Sequence, residues 1–151
     1  MSWMQEKKSP VFVVATANDV TQLPPEMLRK GRWDELFFVD LPNLNEREAI
    51  WKIVIGKHLR DFKDFDLVQL ARMTEGLTGS EIEQGFVEAL YLGFEQESEP
   101  NDLLIAEALN DSVPLSKLMA ESITGLRNWA KGRARAATSA VVSRAGMKIA
   151  A

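Results

Sequence analysis

The sequence predicts a mainly α fold, in which a remnant of a parallel α/β core, two strands and a short helix, is followed by four or five helices. Two continuous apolar runs, PVFVVATA (residues 10–17) and LFFVDLP (residues 36–42), are typical of strands buried on both faces of a parallel sheet. After Pro42 the apolar residues recur at intervals of three and four, which indicates helices. The fold class is therefore α/β at the start of the chain and helical afterwards.

The segment between the two predicted strands, NDVTQLPPEMLRKG, has the pattern of a loop, a short helix and a stop. Pro25 suits the first turn of a helix, and Gly31 suits the left-handed position that follows one. The opening MSWMQEKK has the pattern of a helix end, because Ser9-Pro10 follows it. A helix, a strand, a short helix and a second strand form part of an α/β unit.

The first helix of the second half is expected to start at a capping box of Asn45 and Glu48 and to reach about residue 59. Its apolar face would carry Ile50, Ile53 and Val54. The sequence thus predicts that these three side chains pack inside a helical domain.

Three further helices are expected. One spans residues 66–74, one starts at a second capping box formed by Thr78 and Glu81, and one covers NDLLIAEALND. A longer helix follows Pro114 and reaches at least Trp129. Its inward face is predicted to carry Leu115, Leu118, Met119, Ser122, Ile123, Leu126 and Ala130. Beyond Arg135 the weak pattern is compatible with a frayed helix or with disorder.

Length and composition limit the classes of protein to which this chain can belong. At 151 residues and 46% hydrophobic, the chain is long enough for one ordinary domain or two small ones. No apolar run approaches the ~18 residues of a membrane span, and the first residues lack the apolar stretch of a secretory signal. The absence of cysteine fits a reducing cytoplasm, and a single histidine excludes motifs that need two. We therefore expect a cytoplasmic protein without a membrane partner and without a metal site of its own.

Charge is distributed unevenly along the chain. Residues 122–151 carry six basic residues and no acidic one, whereas residues 1–121 carry 12 basic and 22 acidic residues, a net charge of −10. A basic tail can bind nucleic acid, but cations also favour the C-terminal ends of helices. We expect the second explanation, and nucleic acid is therefore not the expected partner.

Three polar residues near the predicted sheet are candidates for chemistry. Asn18 follows the first predicted strand, at the edge where open α/β sheets bind ligands, although asparagine is also common in turns. Arg29 and Arg32 flank Gly31 and could act on a ligand, or could form surface ion pairs with nearby acids. The residues alone leave both alternatives open.

Four sequence blocks resemble the AAA clade of AAA+ ATPases. VFVVATAN, LPPEML, RKGRWDE and LFFVDLP follow the order of the family's second region of homology, and Asn18 and Arg29 are eleven residues apart, as in the family. NEREAIWKIVIG and DFDLVQLARMTEGLTGSEIEQGFVEAL resemble the helices of its lid. The resemblance covers about 90 of the 151 residues, and the last third is similar to AAA proteins of cyanobacteria and plastid genomes.

The resemblance implies roles for individual residues. Asn18 would be sensor 1, which helps to place the attacking water near the γ-phosphate of ATP. Arg29 and Arg32 would be arginine fingers, presented to ATP bound by the neighbouring subunit of a ring, which the resemblance implies to be a hexamer. The catalytic set is therefore Asn18, Arg29 and Arg32. The turn with Gly76, Gly79 and Ser80 would be the sensor 2 region, where the lid covers adenine and ribose.

The resemblance also marks what this segment lacks. It contains no G-x-x-x-x-G-K-[ST] loop to hold phosphates, and no strand ending in the paired acids that would hold Mg²⁺. Val54 stands where many relatives carry a histidine that faces the nucleotide, and His58, one turn later, is expected to be a partly exposed helix residue. The expected identity is a C-terminal fragment of an ATPase that remodels proteins or complexes; its protein substrate is not specified, and the fragment alone would bind ATP weakly or not at all.

The expected organisation has three parts. Residues 1–42 would be the end of the nucleotide-binding domain, residues 43–112 the helical lid, and residues 113–151 a long helix with the basic tail. The parent protein would hydrolyse ATP as a homo-oligomeric ring in the cytoplasm, or in the plastid stroma if it is plastid-encoded. The alternatives are a non-enzymatic adaptor or oligomerisation module, and a nucleic-acid-binding arm.

Overall fold

The computed structural model describes residues 10–29, 31–110 and 112–138. The chain divides into two compact units, Met1–Asp34 and Glu35–Ala151. The first unit contains two short 3₁₀ turns, Val20–Gln22 and Pro25–Leu28, of which the second begins with a proline in the predicted way. The tail beyond residue 138, where fraying or disorder was one expectation, lies outside the described residues.

The prediction of a first strand at residues 10–17 is wrong. These residues form no strand, and Phe12 is 94% exposed. An extended segment becomes a strand only when a neighbour accepts and donates its backbone hydrogen bonds. None of the strands in the described part of the chain pairs with it.

The two strands that do form come from opposite ends of the second unit. Strand β1, Phe37–Phe38, lies within the predicted second strand and pairs in parallel with β2, Arg135–Ala136. Phe37 is opposite Arg135, and Phe38 is opposite Ala136. The two-stranded parallel sheet is confirmed, but its partner strand follows the helices instead of preceding them.

Helix α1, Leu44–Lys57, begins two residues earlier than predicted. Its capping box consists of Asn43 and Glu46, not Asn45 and Glu48: the Asn43 Oδ1 atom accepts from the Glu46 amide at 3.0 Å, and Glu46 Oε2 accepts from the Asn43 amide at 2.9 Å. A 3₁₀ turn, Phe62–Asp64, follows and leads to helix α2, Leu67–Met73, with Asp66 as its N-cap.

Helix α3, Gly79–Glu95, starts at the predicted capping box of Thr78 and Glu81, which is confirmed. Helix α4 is Asp102–Asn110. The predicted long helix is broken at Met119 into α5, Leu115–Leu118, and α6, Ala120–Ala130. Of its predicted inward face, Ala130 is buried, whereas Leu118 and Met119 are exposed.

The core of the second unit lies among α1, α2, α3 and α4. Phe86 is fully buried and contacts the rings of Trp51, Phe65 and His58, with centroids 6.3, 6.0 and 5.6 Å away. The other buried apolar side chains of this cluster are Val54, Ile55, Leu70, Ala71, Leu77, Ile82, Ala89, Leu104 and Ile105.

Arg47 is a buried cation that joins three segments of the second unit. Only 7% of the residue is exposed; its Nε–H donates to the Ala71 carbonyl at 2.7 Å and its Nη1–H to the Pro42 carbonyl at 2.7 Å. The guanidinium therefore ties the segment before α1 to α2, and we call this pair of bonds the Arg47 clamp. None of the helices within the described ranges is long and apolar enough to cross a membrane.

Candidate functional site

A cleft of about 680 Å³ opens in the second unit beside the start of α3. Most of its surface is apolar. Strand β1 and the segment after it form one side, α1 a second, the first residues of α3 a third, and the C-terminal helices and tail a fourth. The lining residues are Phe38, Val39, Asp40, Leu41, Pro42, Glu46, Ala49, Ile50, Ile53, Thr78, Gly79, Leu115, Ile123, Leu126, Ala137 and Thr138.

The turn that leads into α3 contains the predicted residues Gly76, Gly79 and Ser80. Gly76 has a φ of +81°, the left-handed region, and a Cβ at this position would lie 2.8 Å from Ser116 Oγ. The left-handed backbone therefore favours glycine here, and a larger residue would also have to displace the Ser116 hydroxyl. Gly79 lines the cleft, and Ser80 is exposed one residue further on.

Glu81 ties the start of α3 to the start of α5. Its Oε2 atom accepts hydrogen bonds from the Thr78 amide and the Thr78 hydroxyl, both at 2.8 Å, and its Oε1 atom accepts from the Leu115 amide at 2.7 Å. Partial burial by itself would raise the pKa of Glu81, but these three hydrogen bonds outweigh it and lower the pKa below its ordinary value. Glu81 is therefore an anion at neutral pH, in the first turn of the helix beside the cleft.

Replacing Glu81 with alanine is expected to lower the free energy of unfolding by about 1–2 kcal/mol, because the capping box and the link to Leu115 are both lost. Glu81→Gln keeps an acceptor oxygen but not the charge, so its cost should be smaller. Because the pKa of Glu81 is lowered in the folded state, the stabilisation from its charge is present above the ordinary pKa and is lost as the pH falls through the folded value.

The measurement is urea denaturation followed by far-ultraviolet circular dichroism at neutral pH and at about pH 3. The difference between the wild type and Glu81→Gln should shrink on acidification. Glu88→Ala, on the exposed face of the same helix, is the matched control and should change stability by less than about 0.5 kcal/mol. A cost of Glu81→Gln that is independent of pH would contradict the role of the charge.

The two arginines lie in a tight turn of the first unit. Arg29 follows the 3₁₀ turn in an extended conformation and is exposed, and Arg32, which is half-buried, donates its amide to the Arg29 carbonyl at 3.3 Å. Gly31 between them has a φ of +85°, the left-handed conformation that the sequence predicted. Trp33 donates its Nε1–H to the Met27 carbonyl at 2.9 Å, and this bond anchors the turn.

Asn18 also belongs to the first unit, where it lies at an exposed bend. The candidate residues therefore fall into two groups, one in each compact unit. Asn18, Arg29 and Arg32 are in the first, and the glycine turn with the cleft is in the second. Their proposed roles stay predictions.

One of the three residues that the sequence assigned to the interior face of α1 is exposed. Val54 is buried in the core and Ile50 packs against it, in agreement with the prediction, but Ile53 is 68% exposed, and both Ile50 and Ile53 line the cleft. His58 is half-buried, as predicted, with Nε2 3.8 Å from Glu83 Oε1. Two isoleucines three residues apart were the signal for this second apolar face, next to the core-facing stripe.

The second unit thus combines a short parallel strand pair, the Arg47 clamp and a capped helical bundle with a cleft at the start of α3. The chain is 45% identical over 140 residues to the AAA domain-containing protein ycf46 of Pyropia yezoensis, covering 91% of this chain and 28% of that protein. It is 44% identical over 149 residues to the ycf46 protein of Trieres chinensis, covering 95% and 29% of the two chains.

A more distant relative is the proteasome-activating nucleotidase of Sulfurisphaera tokodaii, which is 40% identical over 83 residues, 54% of this chain and 21% of that protein. No family model matches the chain. The chain spans less than a third of the length of these relatives. These similarities, which run through both compact units, show that the chain belongs to the AAA+ ATPase family.

Proposed function

We propose that this chain is the C-terminal part of an AAA ATPase module and that its cleft covers the adenine and ribose of ATP. The observation that carries the proposal is the cleft at the start of α3, where the side chains of Ile50 and Ile53 present an apolar surface next to the backbone of Gly79. An apolar surface suits a planar base, and unpaired amides in the first turn of a helix suit the polar atoms of a ribose.

The charge of Glu81 favours the adenosine part of the nucleotide over its phosphates. A helix N-terminus usually attracts anions, but an ionised carboxylate in the same turn opposes a second negative charge. In this proposal the phosphates and Mg²⁺ are bound by the phosphate-binding part of the module. The described residues contain no group of three acidic, histidine or cysteine side chains that could hold a metal ion, so we assign no step through Mg²⁺ to them.

In the proposed module Asn18 orients the attacking water, and Arg29 and Arg32 stabilise the γ-phosphate charge of ATP bound by a neighbouring subunit. The exposure of Arg29 and Gly31 supports the second role, because a group that acts in trans has to be accessible. The whole protein would then form a homo-oligomeric ring of about six subunits, as the resemblance to the AAA clade implies. This ring would use ATP hydrolysis to remodel a protein or complex in the cytoplasm or plastid stroma.

Three cations of the basic tail interact with their own chain, which does not favour the alternative of a nucleic-acid-binding arm. Arg127 is paired with Asp40 at 2.8 Å, and Arg135 lies 3.9 Å from Glu35. Arg133 lies over the ring of Trp129 at 6.0 Å. These three cations interact with their own chain, so they are less available for phosphates.

Nuclear magnetic resonance of the chain with labelled isoleucine methyl groups tests the cleft. Adenosine at millimolar concentration is expected to shift the signals of Ile50 and Ile53, while the core residue Ile105 stays unchanged. Inorganic tripolyphosphate should have little effect, because Glu81 repels it.

The variant Ile53→Glu should abolish the adenosine shifts, whereas Val68→Glu, at an exposed position of α2 outside the cleft, should preserve them. Shifts caused equally by adenosine and tripolyphosphate would contradict the proposed adenosine site. An unshifted cleft at saturating adenosine would contradict it as well.

A further inference from the structure

The C-terminal segment of the described chain returns to the strand that precedes the lid. Helix α6 ends at Ala130, and the next residues turn back through Gly132, whose φ is +73°. The amides of Arg133 and Ala134 both donate to the Ala130 carbonyl at 3.0 Å, which closes the turn. We call the segment after this turn, residues 133–138, the strap.

Two backbone hydrogen bonds fix the strap to strand β1. The Arg135 amide donates to the Leu36 carbonyl at 2.8 Å, and the Ala137 amide donates to the Phe38 carbonyl at 2.9 Å. Such a short ladder is weak by itself, because isolated two-stranded pairings are marginally stable at best. A further interaction is therefore needed to keep the strap in place.

Besides the 3.9 Å approach of Arg135 to Glu35, the closer ion pair between Arg127 and Asp40 provides such an interaction. Arg127, in the last turn of α6, shares its Nε–H between Asp40 Oδ2 at 2.8 Å and Oδ1 at 3.1 Å. Asp40 follows β1 by two residues, so the pair joins the end of α6 to the strand that receives the strap. The backbone amide of Leu41 also donates to Asp40 Oδ1, at 2.8 Å, and holds the carboxylate in position.

The strap also forms part of the cleft. Ala137 and Thr138 line it, next to Phe38 and Val39 of the receiving strand and its continuation. Asp40 belongs to the lining as well. If the strap left β1, the cleft would lose one of its walls, and a bound ligand would lose the contacts that this wall supplies.

We propose that Asp40 and Arg127 are positioning residues that hold the strap as a wall of the nucleotide cleft and thereby set the affinity of the cleft for adenosine. This inference rests on the proposed function of the cleft. Neither residue needs to act on the nucleotide chemically. The pair acts through the strap, whose attachment to β1 decides whether the cleft is complete.

The test uses the 151-residue chain and two measurements, amide hydrogen exchange at Arg135 and Ala137 and the dissociation constant for adenosine. In Asp40→Asn and Arg127→Gln, exchange at both amides should become about fivefold faster and adenosine binding about fivefold weaker, the effect of losing one exposed ion pair. Amides in the middle of α3 should be unaffected, which separates release of the strap from general destabilisation.

Three controls sharpen the result. Lys131→Gln removes a positive charge from the same helix end without touching Asp40, so both quantities should stay at the wild-type values. The charge-exchanged double variant Asp40→Arg/Arg127→Asp should restore both at least in part. High salt should accelerate exchange at the two amides in the wild type but not in Asp40→Asn.

The outcomes separate the two proposals. If the wild type binds adenosine normally and amide exchange is unchanged in Asp40→Asn, the role of the ion pair is overturned, but the proposed function of the cleft is not. Faster exchange with unchanged or tighter adenosine binding would overturn the role of the strap as a wall. A wild-type chain that does not bind adenosine at all would overturn the proposed function and this inference with it.

Discussion

Replacing Arg29 or Arg32 with alanine is expected to slow ATP hydrolysis by about 10³- to 10⁵-fold in a protein that also contains the phosphate-binding part of the AAA module. Phosphoryl transfer spreads negative charge over the γ-phosphate oxygens, and a guanidinium supplied by the adjacent subunit stabilises that charge. Lysine lacks the planar fork of hydrogen-bond donors, so Arg29→Lys should recover only a small part of the rate.

The measurement is steady-state ATP turnover, with assembly of the ring checked by mass. Arg72→Ala is the matched control, because Arg72 is an exposed arginine on α2, which belongs to the second compact unit. It should retain the wild-type rate. Wild-type turnover in both Arg29→Ala and Arg32→Ala would defeat the arginine-finger assignment.

Mixed rings test whether the arginines act on a neighbour. Subunits with Arg29→Ala retain an intact phosphate-binding loop, and subunits without the loop lysine retain intact arginines. If the arginines act in trans, mixing the two inactive proteins should restore part of the turnover. A purely non-enzymatic adaptor, the alternative class, would show no turnover in any of these assemblies, including the wild type.

The largest effect on stability is expected from Phe86→Ala, which should lower the free energy of unfolding by about 3–5 kcal/mol. Phe86 is fully buried and packs edge to face against Trp51 and Phe65, at interplanar angles of 78° and 72°. Its removal leaves a cavity where α1, α3 and the segment before α2 meet. A domain of this size has only about 5–15 kcal/mol of stability in total, so a substantial fraction would be lost.

Phe94→Ala provides the comparison on the same helix. Phe94 is 84% exposed, so its truncation removes little buried surface and should change stability by less than about 0.5 kcal/mol. Phe86→Leu, which fills most of the cavity, should cost less than half as much as Phe86→Ala. The measurement is urea denaturation followed by circular dichroism, and similar losses for Phe86→Ala and Phe94→Ala would contradict this account of the core.

Features that depend on neighbouring residues were predicted well from the sequence. The capping box of Thr78 and Glu81 needs only a threonine and a glutamate three residues apart, and the left-handed turn at Gly31 needs only a glycine. At the start of α1 the local signal was ambiguous. Asn43 with Glu46 and Asn45 with Glu48 have the same spacing, and the choice of the first pair coincides with burial of Trp51, Val54 and Ile55 on one face.

Features that depend on distant residues were not predicted. Residues 10–17 have the composition of a buried strand but lack a partner in the described chain, whereas the alanine-rich residues around β2 lack strand character and nevertheless pair with β1. Whether a segment pairs as a strand depends on which other segment lies next to it in the fold, and the composition of the segment does not reveal this. The fourth side of the cleft was missed for the same reason, because Ala137 and Thr138 reach it only through that pairing.

The Arg47 clamp limits where the second unit can bend. Because one guanidinium binds the Pro42 carbonyl and the Ala71 carbonyl, the start of α1 and the end of α2 have to turn together. We expect any rotation of these helices relative to β1 to occur at Val39, Asp40 and Leu41, the residues between β1 and Pro42. The ion pair of Asp40 with Arg127 would therefore hold the segment in which this rotation occurs.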